Sequence, residues 1–445
     1  MISIGLWPGL VLGLLGLGRW QTAQPLSLSR TDIRPRWESD WIKTIIANDP
    51  ATKSIVSGYL SGLSSAGYDV GQQGVWISAG QYNIAGNEGK QPKPAASLTK
   101  VATTLAALST WEPEHRFETW VGWQGRYEEG IVTGDLVIEG GDDPLFVWEE
   151  AIALANALQT MGIRQVTGNL VIAGPFSLNF EADPSKSGTM LKQAMNSATW
   201  DYEIEEAYLE MPPDTPAPTL QIDGDVQATS TSQRNRISGW FIRHDSLPLV
   251  AVLKAMNIYS NNPMAEKMAN ILGGPAAIVQ KIETVAGVAP GEIRLINGSG
   301  LGEENQMSPR AAVAMMQEIQ NVLRSHNLTI ADVFPVAGTD GGTLTDRSLP
   351  NNTVVKTGSL AVVSALTGAL PTEKRGVVWF SLINYGLGLD ALRARQDRVL
   401  RSLEQQWGQA TEIPPELRTT IVIGQEPYQF GNPQRNKIVV RTPLE

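Results

Sequence analysis

Apolar positions recur along this chain in two rhythms. The runs Val101-Ala102-Thr103-Thr104-Leu105-Ala106-Ala107-Leu108 and Leu249-Val250-Ala251-Val252-Leu253-Lys254-Ala255-Met256 read as buried helices, and Ala265-Glu266-Lys267-Met268-Ala269-Asn270 as a further one. The β-branched Thr353-Val354-Val355, and the run from Val362 to Gly368 after it, read as strands. Between them lies a segment with a rhythm of its own. Thr133-Gly134-Asp135-Leu136-Val137-Ile138-Glu139-Gly140 is echoed by Thr167-Gly168-Asn169-Leu170-Val171-Ile172-Ala173-Gly174, and residues 149–159 carry helical spacing between the two copies. The order strand, helix, strand predicts a β-rich insertion over residues 117–237.

Two stretches are less informative. Residues 408–445 hold two strand-like pieces, 419–423 and 437–441, separated by Gly, Asn and Pro. A small hairpin, an edge that pairs with a partner and a disordered tail all fit that pattern. Residues 1–18 are almost wholly apolar and carry no charged side chain before Arg19. This suits an export signal cleaved near Ala23 or, as the alternative, a membrane anchor. Pro8 and the many glycines weaken a spanning helix, and a buried N-terminal segment is the plain alternative.

Composition narrows the function classes. With 445 residues and 42% apolar content, the chain can bury sizeable cores in two or three domains. A formal net charge of −10 without clustered Lys and Arg argues against nucleic acid as a partner. The absence of cysteine removes disulfides, thiol catalysis and Cys-ligated metals together. His115, His244 and His326 are scattered with no paired spacing, so no metal site is expected. A Ser-His-Asp triad assembles only in space and stays open on spacing alone, but no Gly-x-Ser-x-Gly occurs to support it.

The chemistry is concentrated in three short stretches. Ser97-Leu98-Thr99-Lys100 opens the first apolar run and puts a hydroxyl and an amine one helical turn apart, on one face. By itself this is also what a helix cap with an exposed lysine looks like. Tyr259-Ser260-Asn261-Asn262-Pro263 reads as a loop between two helices, and Lys356-Thr357-Gly358-Ser359 ends the strand run. Each is weak alone; the three together, in this order, are specific.

With those three signatures the chain resembles the active-site serine penicillin-recognising enzymes. Within them it is most similar to the class C low-molecular-mass penicillin-binding proteins, the D-Ala-D-Ala carboxypeptidase/endopeptidases of peptidase family S13. Pro94-Ala95-Ala96, Gly141-Asp142-Asp143-Pro144-Leu145, Met256-Asn257, Asn297-Gly298-Ser299-Gly300-Leu301 and the stretch 336–344 add to the likeness, which spans residues 50–400. The resemblance implies an α/β (α+β) transpeptidase-like domain, an antiparallel sheet with helices on both faces plus a helical lobe, formed by residues 37–116 and 238–407. The inserted β-rich domain falls between these two parts, with an extension over 408–445 and no cofactor.

Residue types suggest the roles. Ser97 would attack the penultimate D-Ala carbonyl, Lys100 would act as base, Ser260 would relay a proton and Asn262 would hold the substrate backbone. The resemblance assigns Lys356 and Thr357 to the terminal carboxylate, and Gly358 keeps the strand edge clear. Backbone N–H groups of Ser97 and Ser359 would form the oxyanion hole. Asp143 matches the aspartate that relatives place near the third residue of the stem peptide. The implied partners are peptidoglycan stem peptides, with β-lactams as covalent inhibitors, in the periplasm or cell envelope. Two departures stand out. Asp142 is an added acid, and Gly302-Glu303 stands where many relatives have Ser-Arg. Either the substrate's third residue lacks a free carboxylate, or another cation such as Arg310 takes over, or this loop never touches substrate. A serine β-lactamase or esterase, and a silent peptidoglycan-binding protein, remain the alternatives. No Glu-x-x-Leu-Asn-like deacylation loop supports the former.

Overall fold

In the strand Val354–Leu360 successive side chains go to opposite faces, and the two faces join different cores. Val354 packs with residues of the helices Thr99–Leu108, Leu249–Ile258 and Pro309–Arg324, whereas Val355 packs with residues of Pro50–Ser65 and Leu389–Trp407. One sheet is thus covered on both sides by helices. The computed structural model describes residues 49–80 and 82–441, with side chains up to residue 439. The predicted signal or anchor at 1–23 and the stretch 24–48 lie outside the described residues.

In chain order the principal elements begin with α1 (Pro50–Ser65), β1 (Gly74–Ala79), β2 (Tyr82–Asn87) and α2 (Thr99–Leu108). The insertion follows with β3 (Glu118–Trp123), β4 (Leu136–Glu139), α3 (Trp148–Thr160), β5 (Leu170–Ala173), β6 (Val226–Thr229) and β7 (Gly239–Asp245). Then come α4 (Leu249–Ile258), α5 (Asn262–Ile271), α6 (Pro309–Arg324), β8 (Val354–Leu360), β9 (Val363–Thr372), β10 (Gly376–Tyr385), α7 (Leu389–Trp407) and β11 (Asn436–Arg441). The five-stranded sheet has the order β8-β9-β10-β1-β2 and is antiparallel throughout. The late strands therefore pair with the earliest ones, so the peptidase-like part closes on itself around the insertion.

The repeat at 133–140 and 167–174 becomes β4 and β5, paired in parallel from Leu136↔Leu170 to Glu139↔Ala173 with α3 as the crossover. They belong to a six-stranded mixed sheet of order β6-β5-β4-β3-β7-β11. Its core includes Val121, Leu136, Ile152, Leu170, Phe241 and Ile242. Two boundaries differ from expectation. The insertion's sheet runs past residue 237, because β7 pairs with β3 from Gly239↔Trp123 to Asp245↔Glu118.

The tail is not a separate extension either. β11 pairs antiparallel with β7 and forms the edge of the same sheet. Just before it Arg435 makes a buried ion pair with Glu150 of α3. Residues 419–423, expected as a strand, make no ladder. Thr420 N–H and the Thr419 hydroxyl donate instead to Asp332 Oδ1, at 2.7 and 3.0 Å, and Ile421 is buried. A single carboxylate takes the polar groups that a neighbouring strand would otherwise satisfy.

Candidate active site

Ser97 lies on a single 3₁₀ turn, Ala96–Leu98, that runs directly into α2. All ten residues of α2 are buried, Lys100 completely. A lysine enters such a helix only if its amine finds partners, and here it has three. Lys100 Nζ lies 3.2 Å from Ser97 Oγ, 2.7 Å from Asn262 Oδ1 and 2.8 Å from the Ser299 carbonyl. Burial lowers its pKa to about 7, against the charge of Glu266, which favours the protonated form. A neutral amine has two N–H groups and one lone pair. The two carbonyl oxygens accept the two N–H groups and leave the lone pair for the Ser97 hydroxyl.

Asn262, expected in a loop, begins α5. The structure shortens that loop because Asn261 caps the helix, its Oδ1 accepting from Met264 N–H at 2.9 Å, and Pro263 fits the first turn. Ser260 sits just before with φ of +52°. Lys356, buried on β8, donates to Ser260 Oγ at 3.0 Å and to Thr357 O at 2.9 Å. Burial first, and then the neighbouring charge of Lys100, push the Lys356 pKa well below the ordinary lysine range. Gly358 is required by contact: a Cβ there would stand 2.9 Å from Ala95 O and 3.0 Å from Ser97 N. The strand therefore runs hard against the Ser97 turn, with Ser359 exposed at its end.

The smaller motifs are the supports of this site. Glu266, on the same α5 face as Asn262 at i+4, accepts the Gly298 and Ser299 N–H groups at 3.0 Å each and so presents the Ser299 carbonyl to Lys100. Gly300, at φ +88°, lies so close to Ala96 O that a Cβ would come within 1.9 Å. Asn257 donates to Thr104 Oγ1 and Val333 O, tying α4 to α2. Lys254, fully buried, donates to Ala331 O, Phe334 O and Asp340 Oδ2 and fastens the 336–344 stretch to α4. Gly342 then abuts Ile258 O, two residues before Ser260. Ala96 at φ +48° and Ser260 at φ +52° are non-glycine residues in the left-handed region, where such strain persists only if surroundings enforce it.

Asp143 is placed differently from its neighbour. It is 5% exposed, and its Oδ1 accepts the Leu145 N–H at 2.8 Å. Asp142, at φ +66°, instead lines a cavity of about 470 Å³ together with Phe176, Phe180, Pro263, Glu266 and Lys267. The cavity thus joins insertion residues to the helix that begins with Asn262. Lys267 donates to Ser177 Oγ at 2.7 Å and lies within reach of the Asp142 and Asp143 charges. Arg310, the alternative cation, is bound through both Nε and Nη2 by Glu292, which takes it out of consideration. Glu303 hydrogen-bonds Tyr385.

The three histidines have other partners. His115 stacks on Trp111, His244 meets Asn436, and His326 lies between Glu112 and Glu114 at 3.1 and 3.7 Å. The last three form the one group among the described residues with metal-ligand character, a juxtaposition that sequence spacing did not show. The two carboxylates face opposite ring nitrogens of His326.

Known proteins share this architecture. A predatory peptidoglycan endopeptidase of Bdellovibrio bacteriovorus superposes with a TM-score of 0.66 over 78% of this chain and 95% of its own, at 20% identity. Penicillin binding protein 4 (dacB) of Haemophilus influenzae does so with 0.59 over 79% and 99%, at 17% identity. In sequence, the D-alanyl-D-alanine carboxypeptidase DacB of Haemophilus influenzae is 23% identical over 397 residues, covering 68% of this chain and 82% of that one. A carboxypeptidase DacB of Mycolicibacterium smegmatis is 26% identical over 360 residues, covering 70% and 76%. The profile of one family matches residues 73–178 and 219–406, most of the chain and every stretch that builds the site. The chain belongs to the D-Ala-D-Ala carboxypeptidase 3 (S13) family.

Proposed function

We propose that the protein is a serine D-Ala-D-Ala carboxypeptidase/endopeptidase that cleaves peptidoglycan stem peptides through a Ser97 acyl-enzyme. The observation that carries the mechanism is the Lys100 amine, buried, lowered to about pKa 7 and held by two carbonyl oxygens beside the Ser97 hydroxyl. Ser97 Oγ bonds to the carbonyl carbon of the penultimate D-Ala as its proton passes to Lys100. The tetrahedral oxyanion faces the N–H groups of Ser97 and Ser359. The C–N bond then breaks as Ser260 Oγ, bonded to Lys356, delivers a proton to the leaving nitrogen and is reprotonated by the proton that Lys100 took from Ser97, which restores the neutral amine. The net proton movement is from the serine to the departing amine, and water later cleaves the ester.

Asn262, whose Oδ1 is taken by Lys100, offers its amide N–H groups to the substrate backbone. The third residue of the stem peptide is read into the cavity lined by Asp142 and Lys267, with Asp143 supporting the turn behind it. A β-lactam presents the same amide and carboxylate and should acylate Ser97. The Bdellovibrio endopeptidase has been seen acylated by penicillin G, which favours this reading. A substrate of this kind implies an envelope location. No helix among the described residues is long and apolar enough to cross a membrane.

A fluorescent penicillin tests the proposal. Covalent labelling of the wild type and none of Ser97→Ala is expected. A folded wild type that is never labelled would make this a binding protein, and rapid release of hydrolysed penicillin would make it a lactamase. Fragment masses from digested peptidoglycan separate release of free D-Ala from cleavage of cross-links.

A further inference from the structure

The mechanism leaves the carboxylate on the leaving-group side without a fixed positive charge. Lys356 is fully buried, its amine is engaged by Ser260 and Thr357, and burial disfavours its protonated form. β8 is an edge strand of its sheet, with Gly358 against Ser97, so side chains from both of its faces border the same rim, and a second cation stands on the other face. Alternation along β8 turns Val354, Lys356 and Gly358 toward the helical lobe, and Val355, Thr357 and Ser359 toward the α1 and α7 side. Arg393, in the second turn of α7, donates from Nη2 to Ser359 Oγ at 2.9 Å. Its side chain is 33% exposed, and its ion-pair partner Asp390, 3.5 Å away, is 96% exposed. Such a surface pair is well screened and holds the guanidinium only loosely. A guanidinium keeps its charge throughout the physiological range and carries five N–H donors in a planar fork suited to a carboxylate.

We propose that Arg393 is a substrate-binding residue whose guanidinium, with the Thr357 and Ser359 hydroxyls, takes the carboxylate of the leaving D-amino acid. The inference rests on the peptidase reading above. It makes a free carboxylate next to the scissile nitrogen the specificity determinant, and Lys356 a proton-handling group instead of an anchor. A terminal D-Ala and the D-centre of a cross-linked diamino acid present the same group. Fragment masses from peptidoglycan digested by wild type and variant distinguish those two sources.

The test compares second-order acylation by benzylpenicillin and by its methyl ester, in wild type, Arg393→Ala and Arg393→Lys. With a charge-assisted fork lost, Arg393→Ala should fall about 10- to 100-fold on the acid and stay within about twofold on the ester. Arg393→Lys should lie between, since it keeps the charge and loses the fork. For a peptide ending in D-Ala-D-Ala, KM should rise more than kcat falls. Equal losses on acid and ester would reduce Arg393 to a structural prop for β8, and no loss on either would place the anchor elsewhere; both overturn the inference while leaving the peptidase reading intact. A wild type that neither compound acylates would overturn both.

Discussion

Replacing Glu266 by Gln separates the position of the Ser299 carbonyl from the charge that Lys100 feels. At pH 7 a lysine of ordinary pKa near 10.4 is only about 0.04% neutral, whereas one at about 7 is half neutral, roughly a thousandfold more base. Burial produces that shift and the Glu266 carboxylate opposes it. The sign follows: removing the anion lowers the Lys100 pKa further, so neutral amine persists to more acidic pH. Glu266 reaches Lys100 through one residue, Ser299, whose N–H donates to Glu266 and whose carbonyl accepts from Lys100. Unit charges on the order of 6–8 Å apart at an effective dielectric of about 20 interact by about 2 kcal/mol, or about 1.5 pH units. In the wild type, acylation by benzylpenicillin measured from pH 5 to 9 should fall on the acid side with a midpoint near 7. In Glu266→Gln that midpoint should move down by about 1–1.5 units. The plateau should drop separately, by about tenfold, because glutamine satisfies only one of the two N–H groups at 298 and 299. A lowered plateau with an unmoved midpoint, or a midpoint moved upward, would refute Lys100 as the base under Glu266's influence.

Gly358→Ala should fold, with a loss of about 1–2 kcal/mol in a denaturant melt. Its acylation rate should fall at least ~10-fold, because the new methyl meets Ala95 O and Ser97 N and pushes the nucleophile off the strand. Arg435→Ala should cost about 3 kcal/mol or more by urea unfolding, since it strands the Glu150 carboxylate, only 3% exposed, in the interior. Asn262→Asp should remove measurable labelling by fluorescent penicillin at pH 7 and restore part of it at high pH, because a carboxylate against Lys100 Nζ stabilises the ammonium.

Signals carried by local spacing were legible in the sequence. Ser97 and Lys100 meet because i and i+3 share a helix face, and the echo around Leu136 and Leu170 became a parallel pair because each copy is one strand long with a helix-length spacer. What could not be read depended on partners distant in the chain. Asp142 and Asp143 are adjacent acids, and only the turn that bonds Asp143 to Leu145 N–H decides which of them faces the cavity. The tail strand at 436–441 was readable as a strand but not as an edge of a sheet built some 200 residues earlier. Residues 419–423 have β-forming composition, yet Asp332 captures their polar groups, and nothing near them in sequence announces it. Glu266 was within reach of sequence reasoning, lying at i+4 from Asn262; its use as a brace for Ser299 was not.

Lys100 and Lys254 show how far a residue's role rests on its third contact. Both are fully buried lysines on apolar helices, both amines have three oxygen partners, and burial lowers the pKa of each. Around Lys254 the set is two carbonyls and the Asp340 carboxylate at 2.7 Å; around Lys100 it is two carbonyl oxygens and the Ser97 hydroxyl. The carboxylate favours the ammonium against the effect of burial, so Lys254 acts as a brace between α4 and the 336–344 stretch. The hydroxyl is both donor and acceptor, so it tolerates either state of Lys100 and can exchange a proton with it. The same side chain in the same kind of burial is thus a support in one place and, in the proposed mechanism, a base in the other. The distinction lies in whether the third partner can give up a proton, which no property of the helix carrying the lysine decides.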